Sequence, residues 1–264
     1  MDIQTLKGEP QLSGQVLLYT RPEPLNPERH AGLGLSPVDQ PFNFVRPAHA
    51  IPLTVTEFGP ASLCFPIIFT GNDFQPLAIM SVRQNENLFI NDQGYFDFGT
   101  YVPAYIRRYP FVLANDPASG QLLVCIERDA EAVQEGGQVP LFEGGQPTPF
   151  TQQAIEFCGN FESERQRTVS FVDVLKSLDL LELREQFFTP QNPDGTPGER
   201  QKLADFYGVS EAKLGALSAD QLTTLRDSGA LQQIYAHLNS LLNWDKLVSK
   251  TMQVDAAAPR SANN

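Results

Sequence analysis

Apolar residues in the first half of the chain come in short runs. They are VLLYT (16–20), IPLTVTEF (51–58), FPIIFT (65–70), LAIMSV (77–82), NLFIN (87–91), FVLA (111–114) and LLVCIE (122–127). Rich in β-branched and aromatic residues and bounded by Pro, Gly, Asn and Asp, such runs predict strands. Seventeen of the 21 prolines fall within residues 1–150. Proline lacks an amide donor and blocks helix continuation, so long helices are not expected there. Asn91-Asp92-Gln93-Gly94, between NLFIN and YFDFG, carries the residues of a tight connection and predicts a hairpin. ASLCFPIIF (61–69) also reads as a segment that begins with a short helix.

The period changes near residue 150. From Thr151, the residues Ile155, Cys158, Phe161, Val169, Val172 and Leu175 form a stripe at about 3.6-residue spacing. The polar patch ESERQRT (162–168) interrupts the stripe, and the run reads as one long helix, broken at most once. Thr148-Pro149 suits its N-terminus, where proline's missing donor has no cost. Phe187–Thr189 and Lys202–Phe206 flank the turn-rich segment Asn192 to Gly198, read as an exposed hairpin or loop. Ser210, Ser218 and Gly229 then punctuate three helical pieces, the serines as N-caps and the glycine as a left-handed cap. In the last piece Leu231, Ile234, Tyr235, Leu238, Leu241, Leu242 and Val248 share one face. The tail after Met252 has little to bury and is expected to be disordered. The fold class is therefore α+β. A mainly β region (1–150) packs with a helical region (151–250) as one integrated domain, followed by a disordered tail (251–264).

Composition narrows the partners. Nineteen Lys and Arg against 31 Asp and Glu give a net charge of −12, which repels a phosphate backbone, so nucleic acid is not expected as a partner. No apolar run reaches the roughly 18 residues of a membrane-spanning helix, so no membrane insertion is expected. The start, MDIQTLKGEPQLSG, lacks the basic and apolar regions of a secretion signal. Cys64, Cys125 and Cys158 are far apart and set among apolar neighbours, which fits buried reduced thiols and a cytoplasmic location. His30, His49 and His237 are equally dispersed, so spacing supplies no metal site, and no cofactor is expected. The two EGGQ copies (135–138 and 143–146) read as turns, not as a solenoid repeat.

Candidate chemistry is sparse. Tyr105, Arg107, Arg108 and Tyr109 precede Pro110, and adjacent arginines beside tyrosines can form a bidentate clamp for a carboxylate, a phosphate or a protein terminus. Against this stands the alternation of an extended segment, which would send one arginine to an internal carboxylate and the other to solvent. Asn85, Glu86 and Asn87 offer oxygen ligands, yet three consecutive residues cannot all face one ion, and a turn is the simpler reading. Glu28 and His30 could form an acid/base pair, with a surface loop contact as the plainer account. His237 falls near the apolar stripe, where a satisfied structural histidine is expected. Trp244 and Tyr235 read as core anchors. No nucleophile elbow, P-loop or dinucleotide fingerprint is present, and GLGL (32–35) is too short to count.

ENLFINDQGYFDFGTYVPAYIRRYPFVLA (86–114) resembles the central signature of the SapC family of bacterial proteins. LYTRPEPLNPERHAGLGL (18–35), LFEGGQPTP (141–149) and GALQQIYAHLNSLLNW (229–244) resemble that family in the same order, from about Val16 to Val248. The resemblance implies a family labelled from a surface-layer locus. Other members lie among genes for TonB-dependent receptors, cupin-like dioxygenases and flavin-dependent halogenases. It transfers no catalytic residue. The leading reading is an accessory protein, without catalytic machinery, that binds a protein or peptide partner. The alternative is an enzyme, or enzyme subunit, of peptide or protein modification working with a cupin-like dioxygenase or halogenase. A deep polar pocket gathering His30, His49 or paired carboxylates would mark the alternative; a flat apolar patch would mark the first. A surface-layer-associated protein at the cell surface ranks third, since neither a secretion signal nor glycine-aspartate repeats are seen.

Overall fold

The computed structural model describes residues 16–115, 120–190 and 196–257. In chain order the strands are β1 (Pro22–Pro24), β2 (Leu33–Leu35), β3 (Ala50–Pro52), β4 (Ile67–Thr70), β5 (Gln75–Ile79), β6 (Phe111–Asn115) and β7 (Leu122–Glu127). They continue with β8 (Val133–Glu135), β9 (Val139–Pro140), β10 (Phe142–Glu143), β11 (Gln146–Pro147), β12 (Leu181–Phe188) and β13 (Gln201–Val209). The α-helices are α1 (Phe58–Ala61), α2 (Ala104–Arg107), α3 (Pro149–Ser177), α4 (Glu211–Gly215), α5 (Ala219–Asp227), α6 (Ala230–Ser240) and α7 (Asn243–Ala257). All strand pairings are antiparallel and the class is α+β. The chain divides into two compact units. The first comprises residues 1–45, 92–95 and 104–164; the second comprises 46–91, 96–103 and 165–264. The first residues of the chain, 191–195 of the turn-rich linker and the tail from 258 lie outside the described residues.

In the first unit β7 lies between β1 and β6. Phe111 opposes Ile126 and packs on one face with Leu33, Leu141 and Cys158, while Val112 and Cys125 pack on the other with Tyr19. Both faces are covered, which is why LLVCIE is a continuous apolar run instead of an alternating one. VLLYT, expected as a strand, is a turn whose Tyr19 hydroxyl donates to the Phe111 carbonyl at 2.7 Å. Glu127, at the end of β7, is buried, and its carboxylate accepts the amides of Thr20 (2.8 Å), Arg21 (2.9 Å) and Asp129 (3.1 Å). Those bonds offset its desolvation and tie the start of the described chain to the sheet. A second small sheet sets β2 between β8 and β9. There a Cβ on Gly34 would lie 2.6 Å from the Gly137 carbonyl oxygen and 2.8 Å from that of Val139, so only glycine allows this approach.

The second unit carries a five-stranded sheet, ordered β12-β13-β4-β5-β3. IPLTVTEF supplies β3 and then a helical turn, where the Thr54 amide donates to the Glu57 carboxylate at 2.9 Å. ASLCFPIIF begins at the last residue of α1 and enters β4. NLFIN forms no named strand, but Ile90 and Phe96 make an isolated antiparallel bridge around the expected turn. The linker flanks pair as a long hairpin, β12 with β13, carrying a bulge between Gln186 and Phe187. Helix α6 fastens to this sheet. His237 Nδ1 contacts the Ile67 carbonyl at 2.9 Å, Nε2 accepts the Val209 amide at 3.0 Å, and Ser240 Oγ accepts the Ile67 amide at 2.9 Å.

Ser210 caps α4, Ser218 forms a capping box with Gln221, and Gly229 adopts φ 75° between α5 and α6. Helix α3 runs unbroken from Pro149 to Ser177, so ESERQRT lies inside it and no break occurs. The last stripe is split instead: α6 ends at Ser240, α7 begins at Asn243, and Leu242 between them is 77% exposed. Trp244 is buried while Tyr235 is exposed, so only the tryptophan is a core anchor. Helix α7 continues past Met252 to Ala257, through residues expected to be disordered.

Candidate functional site

Within the first unit, the segment from α2 to β6 meets the first turns of α3. Helix α2 is a single turn, after which Arg108, Tyr109 and Pro110 lead into β6 through a cis Tyr109–Pro110 bond. The two arginines part company here. Arg107 is exposed, and its guanidinium carbon lies 5.4 Å from the centre of the Phe157 ring. Arg108 is only 8% exposed, and its guanidinium carbon stands 4.0 Å from the Tyr105 ring centre, 4.6 Å from Phe161 and 5.6 Å from Tyr19. No carboxylate lies within ion-pair distance of Arg108 among the described residues, so aromatic faces take the place of the expected internal carboxylate. A desolvated cation over a ring gains about 2 kcal/mol, and a guanidinium is more weakly hydrated than an ammonium, which suits it to this setting. Its Nε finds no acceptor among the described residues.

The tyrosines around Arg108 are held by their hydroxyls. Tyr19 donates to Phe111, and Tyr105 donates to the Leu17 carbonyl at 3.0 Å. Burial raises the pKa of both phenols above the ordinary value, and the positive charge of Arg108 offsets only part of this. Tyr109 stacks on Phe44 with centroids 3.8 Å apart, and burial, assisted by the charges of Glu127 and Asp129, pushes its phenol up to about 12. All of them are therefore neutral hydrogen-bonding groups at physiological pH.

Beside this cluster opens a cleft of about 300 Å³, lined by Arg107, Arg108 and Tyr109 together with Phe111, Phe150 and Phe157. Phe150, Ala154, Phe157 and Phe161 recur at i, i+4, i+7 and i+11 along α3, so one helix face supplies both the cleft wall and the ring over Arg108. That spacing is readable in the sequence, where only Phe161 of the four falls on the apolar stripe that starts at Ile155. The structure thus brings Tyr105, Arg107, Arg108 and Tyr109 to one place, with the two guanidiniums over different rings.

The other candidates lie elsewhere. Asn85 adopts φ 59° in a turn, Glu86 accepts the Ser81 hydroxyl, and buried Asn87 accepts the Phe89 amide at 3.0 Å. Among the described residues no group of three or more His, Cys, Asp and Glu side chains could hold a metal ion. Glu28 is exposed and its amide donates to Asn26 Oδ1 at 2.8 Å, in a turn. His30 is not a surface residue: it is 2% exposed, its Nδ1 accepts the Asn26 amide at 3.2 Å, and its Nε2 faces Glu23 at 3.4 Å. The tautomer follows, with the proton on Nε2 directed at Glu23, and burial lowers the pKa. Both ring nitrogens are engaged. His237 is likewise buried, with both nitrogens bonded to backbone.

A family model described as SapC matches residues 25–247. The chain belongs to the SapC family. The matched span includes all the cleft residues named above and Arg108, Tyr105 and Phe161, whereas Tyr19 precedes it. No curated protein and no solved structure gives a match. No helix among the described residues is long and apolar enough to cross a membrane.

Proposed function

We propose that this SapC-family chain is an accessory, non-catalytic protein that docks a protein or peptide partner in the cleft of its first unit. A single observation carries the reading: the cleft sets the exposed Arg107 guanidinium beside the rings of Phe150 and Phe157 in a chain of net charge −12. A peptide carboxylate, terminal or from a side chain, would meet Arg107 while a neighbouring apolar side chain fills the aromatic wall. Arg108 belongs to the support of the site. Its cation anchors Tyr105 and Phe161 and so positions the α2 turn against α3. Among the described residues the lining contains no histidine and no carboxylate, so these side chains offer a partner contacts and not an acid/base pair. Cys64, Cys125 and Cys158 are buried free thiols, which suits a reducing cytoplasm over a cell-surface location.

The test is quantitative mass spectrometry of proteins and small molecules retained by the tagged chain from its own cells. Native chain is compared with Arg107→Glu and with Ala154→Trp, which fills the cleft. A stoichiometric protein partner, lost in both variants while their melting temperatures stay within a few degrees of native, supports the reading. A retained metal or small molecule without a protein partner overturns it and favours an enzyme partnered with a cupin-like dioxygenase or halogenase. A partner indifferent to both substitutions places docking outside the cleft.

A further inference from the structure

Strand β12 ends the five-stranded sheet, and among the described residues its backbone pairs only with β13. No described strand pairs with the outward-facing amides and carbonyls of its outer edge, the template on which another strand can add. The strand reads Leu181-Glu182-Leu183-Arg184-Glu185-Gln186-Phe187-Phe188. Leu183 is 62% exposed, so an apolar side chain stands available at that edge. We propose that this edge pairs with β12 of a second copy of the chain, in an antiparallel two-fold dimer centred on Leu183.

The register follows from symmetry and charge. Directly opposed residues in an antiparallel pair share a face of the sheet. A two-fold axis normal to the sheet returns every side chain to its own face, so a residue must oppose itself at the axis. With Glu182, Arg184 or Glu185 at the axis, a charge would meet its own copy. With Leu181 at the axis, Glu182 and Leu183 would run past the end of the partner's strand. From Gln186 onward the bulge between Gln186 and Phe187 breaks the ladder. Leu183 at the axis satisfies every condition. It opposes Leu183 of the second copy, and Glu182 of each copy opposes Arg184 of the other. Glu182 and Arg184 already lie on one face, 3.8 Å apart within the chain, so re-pairing across the axis moves neither to a new environment. Opposite charges directly across an antiparallel pair are favourable, and like charges are unfavourable.

The experiment is sedimentation equilibrium of the full chain, from about 1 to 200 µM, with charge reversals at the two positions. The native chain is expected to dimerise. Arg184→Glu and Glu182→Lys each turn both symmetric contacts repulsive, and each is expected to raise the dimer dissociation constant by about tenfold or more. The double variant Glu182→Lys with Arg184→Glu recreates both attractive pairs and is expected to return to within about threefold of native. Since Arg184 also packs against β13, the double variant separates lost pairing from lost packing. A native chain that is monomeric throughout, a dimer indifferent to either reversal, or a double variant that stays dissociated would each overturn the proposal. None of these outcomes depends on what occupies the cleft of the first unit.

Discussion

His237 offers the sharpest test of how the second unit is held together. Its side chain stands in for a missing stretch of ladder: β13 pairs with β4 at Tyr207 and Phe69, and one step further on the imidazole spans Val209 and Ile67. Accepting the Val209 amide at Nε2 requires a neutral ring with its proton on Nδ1, which donates to the Ile67 carbonyl. Protonation would set an Nε2 hydrogen against the Val209 amide hydrogen in a side chain that is 0% exposed. Burial, assisted by the charge of Arg184 and opposed by the bond to Ile67, brings the pKa down to about 4 from 6.5. The folded pKa lies below the unfolded one, so the unfolded chain takes up the proton first. The stability linked to the neutral ring is complete above pH 6.5 and is lost as pH falls toward 4. A shift of this size corresponds to about 3 kcal/mol in full, and about 2 kcal/mol is lost between pH 7.5 and pH 5. The perturbation is His237→Gln, which offers a donor and an acceptor but does not titrate. It is expected to cost about 1–3 kcal/mol at pH 7.5 through imperfect bonds to Ile67 and Val209. Urea unfolding followed by Trp244, buried beside Phe206 in the same unit, reads the stability at each pH. The gap between native and variant is expected to shrink by about 2 kcal/mol from pH 7.5 to pH 5. Contributions from His30 and the carboxylates cancel in that difference. A gap that stays constant with pH would refute the assignment of a neutral, obligatory acceptor at Nε2.

Three further outcomes follow from packing and burial. Gly34→Ala places a methyl group against the backbone oxygens of Gly137 and Val139, which cannot yield as a side chain would. It is expected to destabilise the first unit by about 2 kcal/mol or more in thermal unfolding; an unchanged melting temperature would show that the backbone relaxes freely. Glu127→Gln removes the charge that receives the Thr20, Arg21 and Asp129 amides, and a loss of about 2–3 kcal/mol is expected by urea unfolding. Less than about 0.5 kcal/mol would mean that the segment is held by Tyr19 and Tyr105 alone. The Cys125 and Cys158 thiols are pushed up by burial to about 12 and about 11. Both are expected to resist a thiol-reactive disulfide reagent at pH 8 in the folded chain and to react at once in urea. Fast labelling of either in the native state would contradict the packing described.

Features governed by neighbours along the chain were legible in the residues. Ser210, Ser218 and Gly229 stand at helix ends because capping depends on amides within three or four positions. FVLA and LLVCIE are strands, and TPF begins a helix, for the same reason. The α+β class and the family followed from such segments in their order. Features governed by distant partners were not legible. VLLYT has the composition of a strand, yet Tyr19 is claimed by Phe111, 92 positions away, and the run is a turn. His30 reads as a surface histidine, yet its nitrogens are taken up by Asn26 and Glu23 in a buried loop. Arg107 and Arg108 are indistinguishable by type and adjacent in sequence. Only the rings of Tyr19, Tyr105 and Phe161, drawn from three separate segments, make one of them a buried support and leave the other at the cleft. The physical reason is that burial of a charge is decided by what surrounds it in three dimensions, whereas caps and strand runs are decided by residues a few positions away.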